Sequence, residues 1–181
     1  GVERQPLDLG GLPAIIEGFR AEGVEAVAIC LLHAYANTAH EEEVLAQVRT
    51  LWPGLSAVAS HQITREWREY ERTNTAVLSA YVQPVAARYL GRLDAVLREK
   101  GAKNSPYIMQ SNCGVDSLQA TSEIPITMVE SGPASGFWGA AELGKLIDEP
   151  NILALDIGGT TAKGSLSAGG GVRRMPDHRI E

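Results

Sequence analysis

The sequence predicts an α/β fold with a parallel sheet, and three observations support this prediction. A continuous apolar run over residues 26–32 has the length and composition of a strand that is buried on both faces. A helical pattern and a second short strand follow it, in a β-α-β order that favours parallel strands joined by a right-handed crossover. Near the end of the chain, a third apolar run leads into a Gly-Gly-Thr-Thr turn.

Composition and charge fit a globular protein and argue against some partners. Hydrophobic residues make up 44% of the 181 residues, which is enough to form a core. The formal net charge of −6 argues against a nucleic-acid groove and an anionic membrane surface, so we expect neither partner. The two cysteines show no CxxC spacing and no signal-peptide pattern is present, so we expect a cytoplasmic location. The chain begins with Gly1, and we expect it to be an internal piece of a longer protein.

Residues 1–64 are expected to form a β-α-β part. Gly23 stands where a glycine ends a helix, and Thr38 with Glu41 matches the capping-box pattern at the start of another. The four histidines of the chain show no metal-ligand spacing and are expected to be structural or surface residues. The predicted elements are a helix over residues 12–22, a strand over 26–32, a helix from 38 to about 51 and a strand over 55–59.

Residues 65–105 are expected to form a long helical connector. Apolar residues recur every three or four positions over residues 77–97, as on one face of a helix of about 25 residues that Gly101 ends. Pro84 is expected to kink this helix or to begin it anew. The charged run over residues 65–72 is expected to be a solvated helix start with i,i+3 and i,i+4 pairs rather than a catalytic site.

Residues 106–181 are expected to contain strands and one further helix. Residues 124–129 contain a proline and are expected to be an edge strand or an extended segment. Ser131 or Gly132 is expected to cap a helix of small residues that has Pro133 in its first turn. Helix N-termini bind anions through free N–H groups, but the residues alone favour a capped core helix without a ligand.

The glycine-rich turn near the end of the chain is the strongest candidate for a binding site. Glycine lacks Cβ and tolerates positive φ, which lets the main chain approach a phosphate closely. Asp156 ends the preceding buried strand and can hold Mg²⁺ through water or orient an attacking water, so it is the predicted catalytic and metal-binding residue. A tight hairpin of small residues is the alternative. The predicted phosphate-binding residues are Gly158, Gly159, Thr160, Thr161 and Lys163.

Four ordered segments resemble the hydantoinase A / 5-oxoprolinase family, which includes N-methylhydantoinase A and the ATP-dependent subunits of acetone and acetophenone carboxylases. The resemblance covers about residues 24–168, and its segments are residues 69–84, 109–112, 131–134 and 156–161. It implies part of a ribonuclease-H-like ATPase fold of the actin and sugar-kinase type. In that fold the turn after Asp156 would be the second phosphate loop, and Gly132 would open the helix that lines the nucleotide cleft.

The resemblance also implies an activity. Family members use ATP and Mg²⁺ to activate a small cyclic amide, and they work with a hydantoinase B type subunit or domain. The chain is therefore expected to belong to an ATP-dependent cyclic-amide hydrolase that phosphorylates the ring amide before water attacks, and to be inactive alone because the first phosphate loop is missing. A ketone carboxylase subunit, a sugar or acetate-type kinase and a non-catalytic partner-docking domain are the alternatives.

Two positions depart from the pattern of many relatives. Cys113 stands where many have glycine, and Lys163 stands where many have aspartate. These departures leave the metal arrangement and the substrate within the family open.

Overall fold

The structure, a computed structural model, describes residues 2–172 as two compact units. The first unit comprises residues 2–104 and 122–126, and the second comprises residues 105–121 and 127–172. The division into three parts expected from the sequence stays a prediction, and the end of its third part lies outside the described residues. No helix in the described part of the chain is both long and apolar enough to cross a lipid bilayer.

The first unit contains the predicted β-α-β motif. The strands β1 and β2 pair in parallel, with Ala26 opposite Ser56 and Ile29 opposite Ala59, so this prediction is confirmed. β1 ends three residues earlier than expected, and Gly23 after α1 has a φ of 73°, as a helix-ending glycine should. The elements are α1 (Leu12–Ala21), β1 (Ala26–Ile29), α2 (Ala39–Leu51), β2 (Ser56–Ala59), α3 (Ser60–Ile63) and α4 (Glu69–Glu99).

The hydrophobic core of the first unit lies where α1 and α2 pack on the two parallel strands. Each large aliphatic side chain removed from water there contributes about 1.5–3 kcal/mol. The buried cluster consists of Ile16, Ile29, Leu45, Val48, Ala57 and Ala59.

The helix α4 is one element of 31 residues, longer than predicted, and Pro84 lies inside it. Its buried positions are mostly small residues, which let it pack closely on β1 and β2. Four of the larger residues on the predicted apolar face are half or more exposed, whereas Leu90 on the same face is buried, so the helical periodicity is confirmed and packing covers only part of the face. These exposed residues are Val77 (50%), Tyr81 (79%), Val85 (63%) and Tyr89 (60%).

The second unit contains two antiparallel sheets and one long helix. β3 and β4 form a hairpin, and β5, β6 and β7 form a three-stranded sheet against which α6 packs. The elements that follow α4 along the chain are β3 (Tyr107–Met109), β4 (Val115–Ser117), α5 (Leu118–Glu123), α6 (Ser131–Leu146), β5 (Ile152–Ile157), β6 (Ala162–Ala168) and β7 (Gly171–Val172).

The expected edge strand over residues 124–129 was wrong. A 3-10 helix occupies Pro125–Met128 instead, and Pro125 is buried. Proline fixes φ near −65° and has no N–H to donate to a neighbouring strand, which suits a helical turn better than a sheet.

Candidate functional site

The hairpin formed by β5 and β6 places the predicted phosphate-binding residues around one turn. Asp156 lies directly opposite Lys163 in the antiparallel pairing. The N–H of Gly158 donates to the carbonyl oxygen of Thr161 at 2.9 Å and closes the turn, whose residues are all exposed. The predicted order of strand, Gly-rich turn and strand is therefore confirmed.

This turn presents donors that have no acceptor within residues 2–172. The backbone N–H groups of Gly159, Thr160 and Thr161 make no hydrogen bond there, and neither do the two threonine hydroxyls. Successive free N–H groups form the kind of concavity that binds phosphate oxygens. These free donors are therefore compatible with a phosphate group, and phosphate binding at this turn stays a prediction.

The glycines of the turn act differently from the sequence-based expectation. Neither Gly158 nor Gly159 has a positive φ, so the turn does not need glycine for its backbone conformation. A Cβ added at Gly159 would have no atom within 4 Å, and the turn is open to solvent. The absence of side chains at these two positions keeps the main chain accessible to a ligand.

The strand β5 was expected to be buried, and this expectation was wrong for the described part of the chain. Leu153, Leu155 and Ile157 are 69%, 66% and 74% exposed. These three residues share the face of the sheet opposite to α6, since side chains alternate between the two faces of a strand. One face of β5 is covered by α6 and the other is open.

The start of α6 lies at the Asp156 end of the hairpin. At the other end of β5, Ile152 packs on Gly144 in the last turn of α6, so the strand and the helix run in opposite directions. Lys163, which shares a face with its cross-strand neighbour Asp156, forms an ion pair with Glu130 at the start of the helix. The predicted site residues of the hairpin and of the helix therefore come together.

Glu130 precedes the first turn of α6 with a φ of 66°, and no side chain caps the helix. The expected cap at Ser131 or Gly132 was wrong, since both lie inside the first turn and Gly132 is exposed. The left-handed conformation is uncommon for glutamate, and the ion pair with Lys163 helps to hold it. An uncapped first turn leaves free N–H groups at this end of the helix.

Asp156 and Lys163, two charged residues of the hairpin, differ in whether an ion pair compensates their charge. Asp156 is exposed and has no ion pair within residues 2–172, whereas Glu130 compensates the charge of Lys163. In the described part of the chain, no group of three or more His, Cys, Asp or Glu residues could hold a metal ion. Since Mg²⁺ is commonly bound by one or two carboxylates together with phosphates and water, the single carboxylate of Asp156 fits Mg²⁺ that arrives with a nucleotide.

The sequence analysis missed a buried polar network in the first unit. Glu41 is fully buried, and its carboxylate accepts hydrogen bonds from Leu31 N (2.8 Å), Ser60 Oγ (2.7 Å), His61 N (3.0 Å) and His61 Nδ1 (2.7 Å). The expected capping box with Thr38 was wrong, because Glu41 faces the interior and α2 has no side-chain cap. Burial alone would raise the pKa of Glu41, but these hydrogen bonds hold the pKa below its ordinary value.

Arg72 extends this network from α4. Its guanidinium is buried and donates to Ser60 Oγ (3.0 Å), to the Glu66 carbonyl (3.0 Å) and to the Leu31 carbonyl (2.7 Å), and it pairs with Glu69. The expectation that residues 65–72 are all solvated was therefore wrong for Arg72. Charge spacing along the chain gives no signal of this burial, because it depends on how α4 packs against the parallel strands.

Comparison with known proteins adds three findings. The profile of the hydantoinase/oxoprolinase family matches residues 72–180, and that of the hydantoinase/oxoprolinase N-terminal region matches residues 1–51. The alpha subunit of a caprolactamase from Pseudomonas jessenii is 36% identical over 174 residues, which cover 94% of this chain and 24% of that protein. The beta subunit of an acetone carboxylase from Xanthobacter autotrophicus is 32% identical over 145 residues, which cover 78% of this chain and 20% of that protein.

A solved nucleotide-free structure of acetone carboxylase, a protein of ATP-dependent acetone carboxylation, has the same mixed α/β architecture. It matches with a TM-score of 0.81 and 28% identity over 94% of this chain and 24% of that one. The chain thus spans about a quarter of the length of the relatives that it matches, two of which are named as subunits. Because the family profile covers more than half of its residues, the chain belongs to the hydantoinase/oxoprolinase family.

Proposed function

We propose that the chain is part of a subunit that hydrolyses a small cyclic amide in a reaction coupled to ATP. The observation that carries this proposal is the exposed β5–β6 turn, with its three free N–H groups and two free hydroxyls next to Asp156. The family is named for hydantoinase and oxoprolinase, and the caprolactamase relative is named for caprolactam, another ring amide.

In this proposal the residues of the hairpin have separate roles. The N–H groups and hydroxyls of residues 159–161 donate to phosphate oxygens, and the open Gly158 lets the main chain approach them. The Asp156 carboxylate orients a water molecule and shares in binding Mg²⁺, which would neutralise charge on the phosphate oxygens. Lys163 acts through Glu130 and holds the start of α6 against the hairpin. The exposed first turn of α6 at Gly132 adds N–H donors at the same end.

The proposed reaction consumes one ATP and two water molecules for each ring that opens. The ring amide oxygen attacks the γ-phosphorus of ATP, and the bond from that phosphorus to ADP breaks. Water then attacks the ring carbon, which is now a better electrophile because its oxygen carries a phosphoryl group. The ring carbon–nitrogen bond then breaks, and the nitrogen takes up a proton, which leaves an acyl phosphate. A second water attacks the same carbon, and the carbon–oxygen bond to phosphate breaks. The products are ADP, phosphate and an open-chain amino carboxylate.

The proposal also covers the fold, the partner and the location of the parent protein. The chain would form part of a ribonuclease-H-like ATPase of the actin and sugar-kinase type, with residues 156–161 as the second of two phosphate loops. The similarity to acetone carboxylase and the α/β architecture support this assignment. A hydantoinase B type partner and a cytoplasmic location complete the proposal, and the subunit names of the relatives support a partner.

The test is substrate-dependent ADP formation by the full-length parent protein with its hydantoinase B type partner. We expect ADP to form in step with ring opening of caprolactam, hydantoin or 5-oxoproline, and the isolated chain to form ADP far more slowly. ADP that forms only with acetone or acetophenone and bicarbonate would replace this proposal with the carboxylase.

That carboxylase is the second candidate, and a specific observation favours it. The chain superposes on acetone carboxylase with a TM-score of 0.81, and its motifs do not distinguish a ring amide from a ketone. In a carboxylase the same turn would bind ATP, and bicarbonate would be consumed with the ketone.

A non-catalytic partner-docking role is the third candidate, favoured by the exposed stripe on α4. Val77, Tyr81, Val85 and Tyr89 follow one another at intervals of four residues, over about 18 Å at 1.5 Å per residue. A docking role predicts that Tyr81→Ser with Tyr89→Ser abolishes co-purification of the second subunit, whereas Asp156→Asn leaves ADP formation unchanged. Loss of ADP formation in Asp156→Asn rules out a purely docking role.

A further inference from the structure

The first unit contains a cavity of about 600 Å³ that the proposed chemistry at the hairpin does not use. It is lined by residues of α2, β2, α3 and α4 and by residues 123–124, all of which belong to this unit. Its volume is in the range of small-molecule sites. Its lining is mostly polar, so any occupant must supply charges or hydrogen bonds.

Charged groups of both signs line this cavity, and three of the four lack partners in the described part of the chain. Arg49 and Arg65 line it, and neither guanidinium has a hydrogen bond or an ion pair within residues 2–172. The Glu123 carboxylate also has none there, and Glu42 accepts a hydrogen bond from the Thr38 hydroxyl at 2.6 Å. The wall therefore offers two cations and two anions to an occupant.

His61 lies at the same wall in an orientation that the buried Glu41 fixes. Its Nδ1 lies 2.7 Å from an oxygen of the buried Glu41, which does not line the cavity. Its Nε2 lies 3.8 Å from a carboxylate oxygen of Glu42, which does line the cavity. Since the ionised Glu41 can only accept, the Nδ1 proton points to Glu41, and this hydrogen bond fixes the orientation of the ring at the cavity wall.

Gln83 supplies an enclosed acceptor at this wall. Its Nε2 donates to the Glu123 carbonyl at 2.7 Å, while its Oε1 is enclosed and has no hydrogen-bond partner within residues 2–172. A buried amide oxygen without a donor is unfavourable, and a ligand that donates to it would remove that penalty.

We propose that this cavity binds a small amino carboxylate. Guanidinium groups are well suited to a carboxylate, so Arg49 and Arg65 would hold that end of the ligand. An ammonium group has three donors and no acceptor, which matches Gln83 Oε1 and the carboxylates of Glu42 and Glu123. A purely anionic ligand would leave these acceptors without donors, and a purely cationic ligand would leave the guanidiniums without a partner.

In the parent protein, an amino-carboxylate site would be related to the proposed reaction. Hydrolysis of a ring amide yields an amino carboxylate, so the natural occupant would be the ring-opened product. This last step rests on the proposed function, whereas the binding of an amino carboxylate does not.

The test is an NMR titration of the isotope-labelled chain at constant ionic strength, without ATP or a second subunit. Aminobutyrate and aminohexanoate are the probes, and hexanoate and hexylamine are the controls that carry one charge each. We expect saturable shifts at the backbone and arginine side-chain signals of the cavity with one or both amino carboxylates, and binding weaker by about tenfold or more for each control.

Matched variants locate the site. Arg49→Ala with Arg65→Ala should weaken amino-carboxylate binding by about tenfold or more. The fold should persist in this double variant, because both residues are exposed and unpaired. Arg92→Ala, an exposed arginine of α4 that does not line the cavity, should leave the affinity unchanged.

Three outcomes would overturn the proposal: no saturable shift with either amino carboxylate, equal affinity for the singly charged controls, or equal weakening by Arg92→Ala. None of them bears on ATP-coupled ring opening, so failure of this site and failure of the proposed function are distinguishable.

Discussion

Glu41 Oε2 and His61 Nδ1 lie 2.7 Å apart in the interior of the first unit, and this hydrogen bond joins the first turn of α2 to α3. The other carboxylate oxygen, Oε1, accepts from Ser60, whose hydroxyl also accepts from the buried Arg72 of α4. A carboxylate and a guanidinium are thus buried with several hydrogen bonds each, which is the condition under which buried charge is tolerated. The network joins α2, α3 and α4 at the end of the parallel strands.

The first prediction concerns Glu41→Gln. The depressed folded-state pKa means that ionised Glu41 adds stability above about pH 4.5, its ordinary pKa, and that this stability is lost as the pH falls through the folded-state pKa. We expect Glu41→Gln to lower the free energy of unfolding near neutral pH by about 2–4 kcal/mol, because an amide replaces an acceptor of four hydrogen bonds. The difference from the parent chain should shrink in acid.

Urea unfolding followed by tryptophan fluorescence at neutral and acid pH measures this difference. Glu43→Gln, an exposed change on the same helix, is the control and should have little effect. If the difference in the free energy of unfolding between Glu41→Gln and the parent chain stays constant with pH, ionised Glu41 is not the source of the stability.

The second prediction compares two glycines of α6. A Cβ at Gly144 would lie 2.6 Å from the Glu149 carbonyl oxygen and 2.2 Å from Ile152 Cδ1, whereas a Cβ at Gly139 would meet nothing within 4 Å. Gly144→Ala should therefore destabilise the second unit by about 1–3 kcal/mol through overpacking. Gly139→Ala should stabilise it by about 0.5–1 kcal/mol, as expected inside a helix. Thermal unfolding measures both, and changes of the same sign would contradict the packing of α6 on β5.

The third prediction concerns Cys113, which has a backbone conformation that favours glycine. It ends the turn between β3 and β4 with a φ of 67°, and its N–H donates to the Gln110 carbonyl at 3.0 Å. The left-handed conformation costs a residue with a Cβ about 1–2 kcal/mol. We expect Cys113→Gly to raise the free energy of unfolding by about 0.5–1 kcal/mol, after allowance for the greater freedom of glycine in the unfolded chain. Cys113→Ser keeps the Cβ and should bring no gain, so equal stabilisation by both variants would contradict this explanation.

The fourth prediction concerns Asp156→Asn in the full-length parent protein. Loss of the carboxylate should lower kcat for ring-amide-dependent ADP formation by about 10²–10⁴-fold with a smaller effect on the KM for the amide. Asp148→Asn is the matched control, because Asp148 is exposed after α6 and has a φ of 60° that asparagine tolerates. Comparable kcat values for the two variants would remove Asp156 from the proposed site.

Much of the fold could be predicted from local pattern. The apolar spacing of α1, the run at β1 and the glycines after α1 and α4 depend on neighbours in sequence, and these elements are where they were expected. The helix α2 is also where it was expected, although the capping box that predicted it does not form. The 3-10 helix at Pro125–Met128 was missed because the alternation of apolar residues suggested an extended segment. Pro125 has no N–H to donate to a neighbouring strand and fits the helical turn that the structure shows.

The hairpin of the candidate site was predicted and the network around Glu41 was not, for a physical reason. Asp156 and Lys163 are seven residues apart, and the turn between them determines that they face each other. Glu41 and Arg72 come from two helices that meet only when both pack on the parallel strands, so their burial follows from tertiary packing. The exposed stripe on α4 likewise repeats at the spacing of a helix face that packs in a core. The buried positions of this helix are instead mostly small residues, which follows from its tertiary packing and not from the spacing.

The most direct test of the central claim is the fate of the ring amide oxygen. The full-length protein and its partner would be given a cyclic amide labelled with ¹⁸O at the carbonyl, together with ATP, and the phosphate released would be analysed by mass spectrometry. Phosphorylation of the amide oxygen predicts phosphate that carries one ¹⁸O atom for each ring opened. Unlabelled phosphate, with the label retained wholly in the amino carboxylate, would contradict the account.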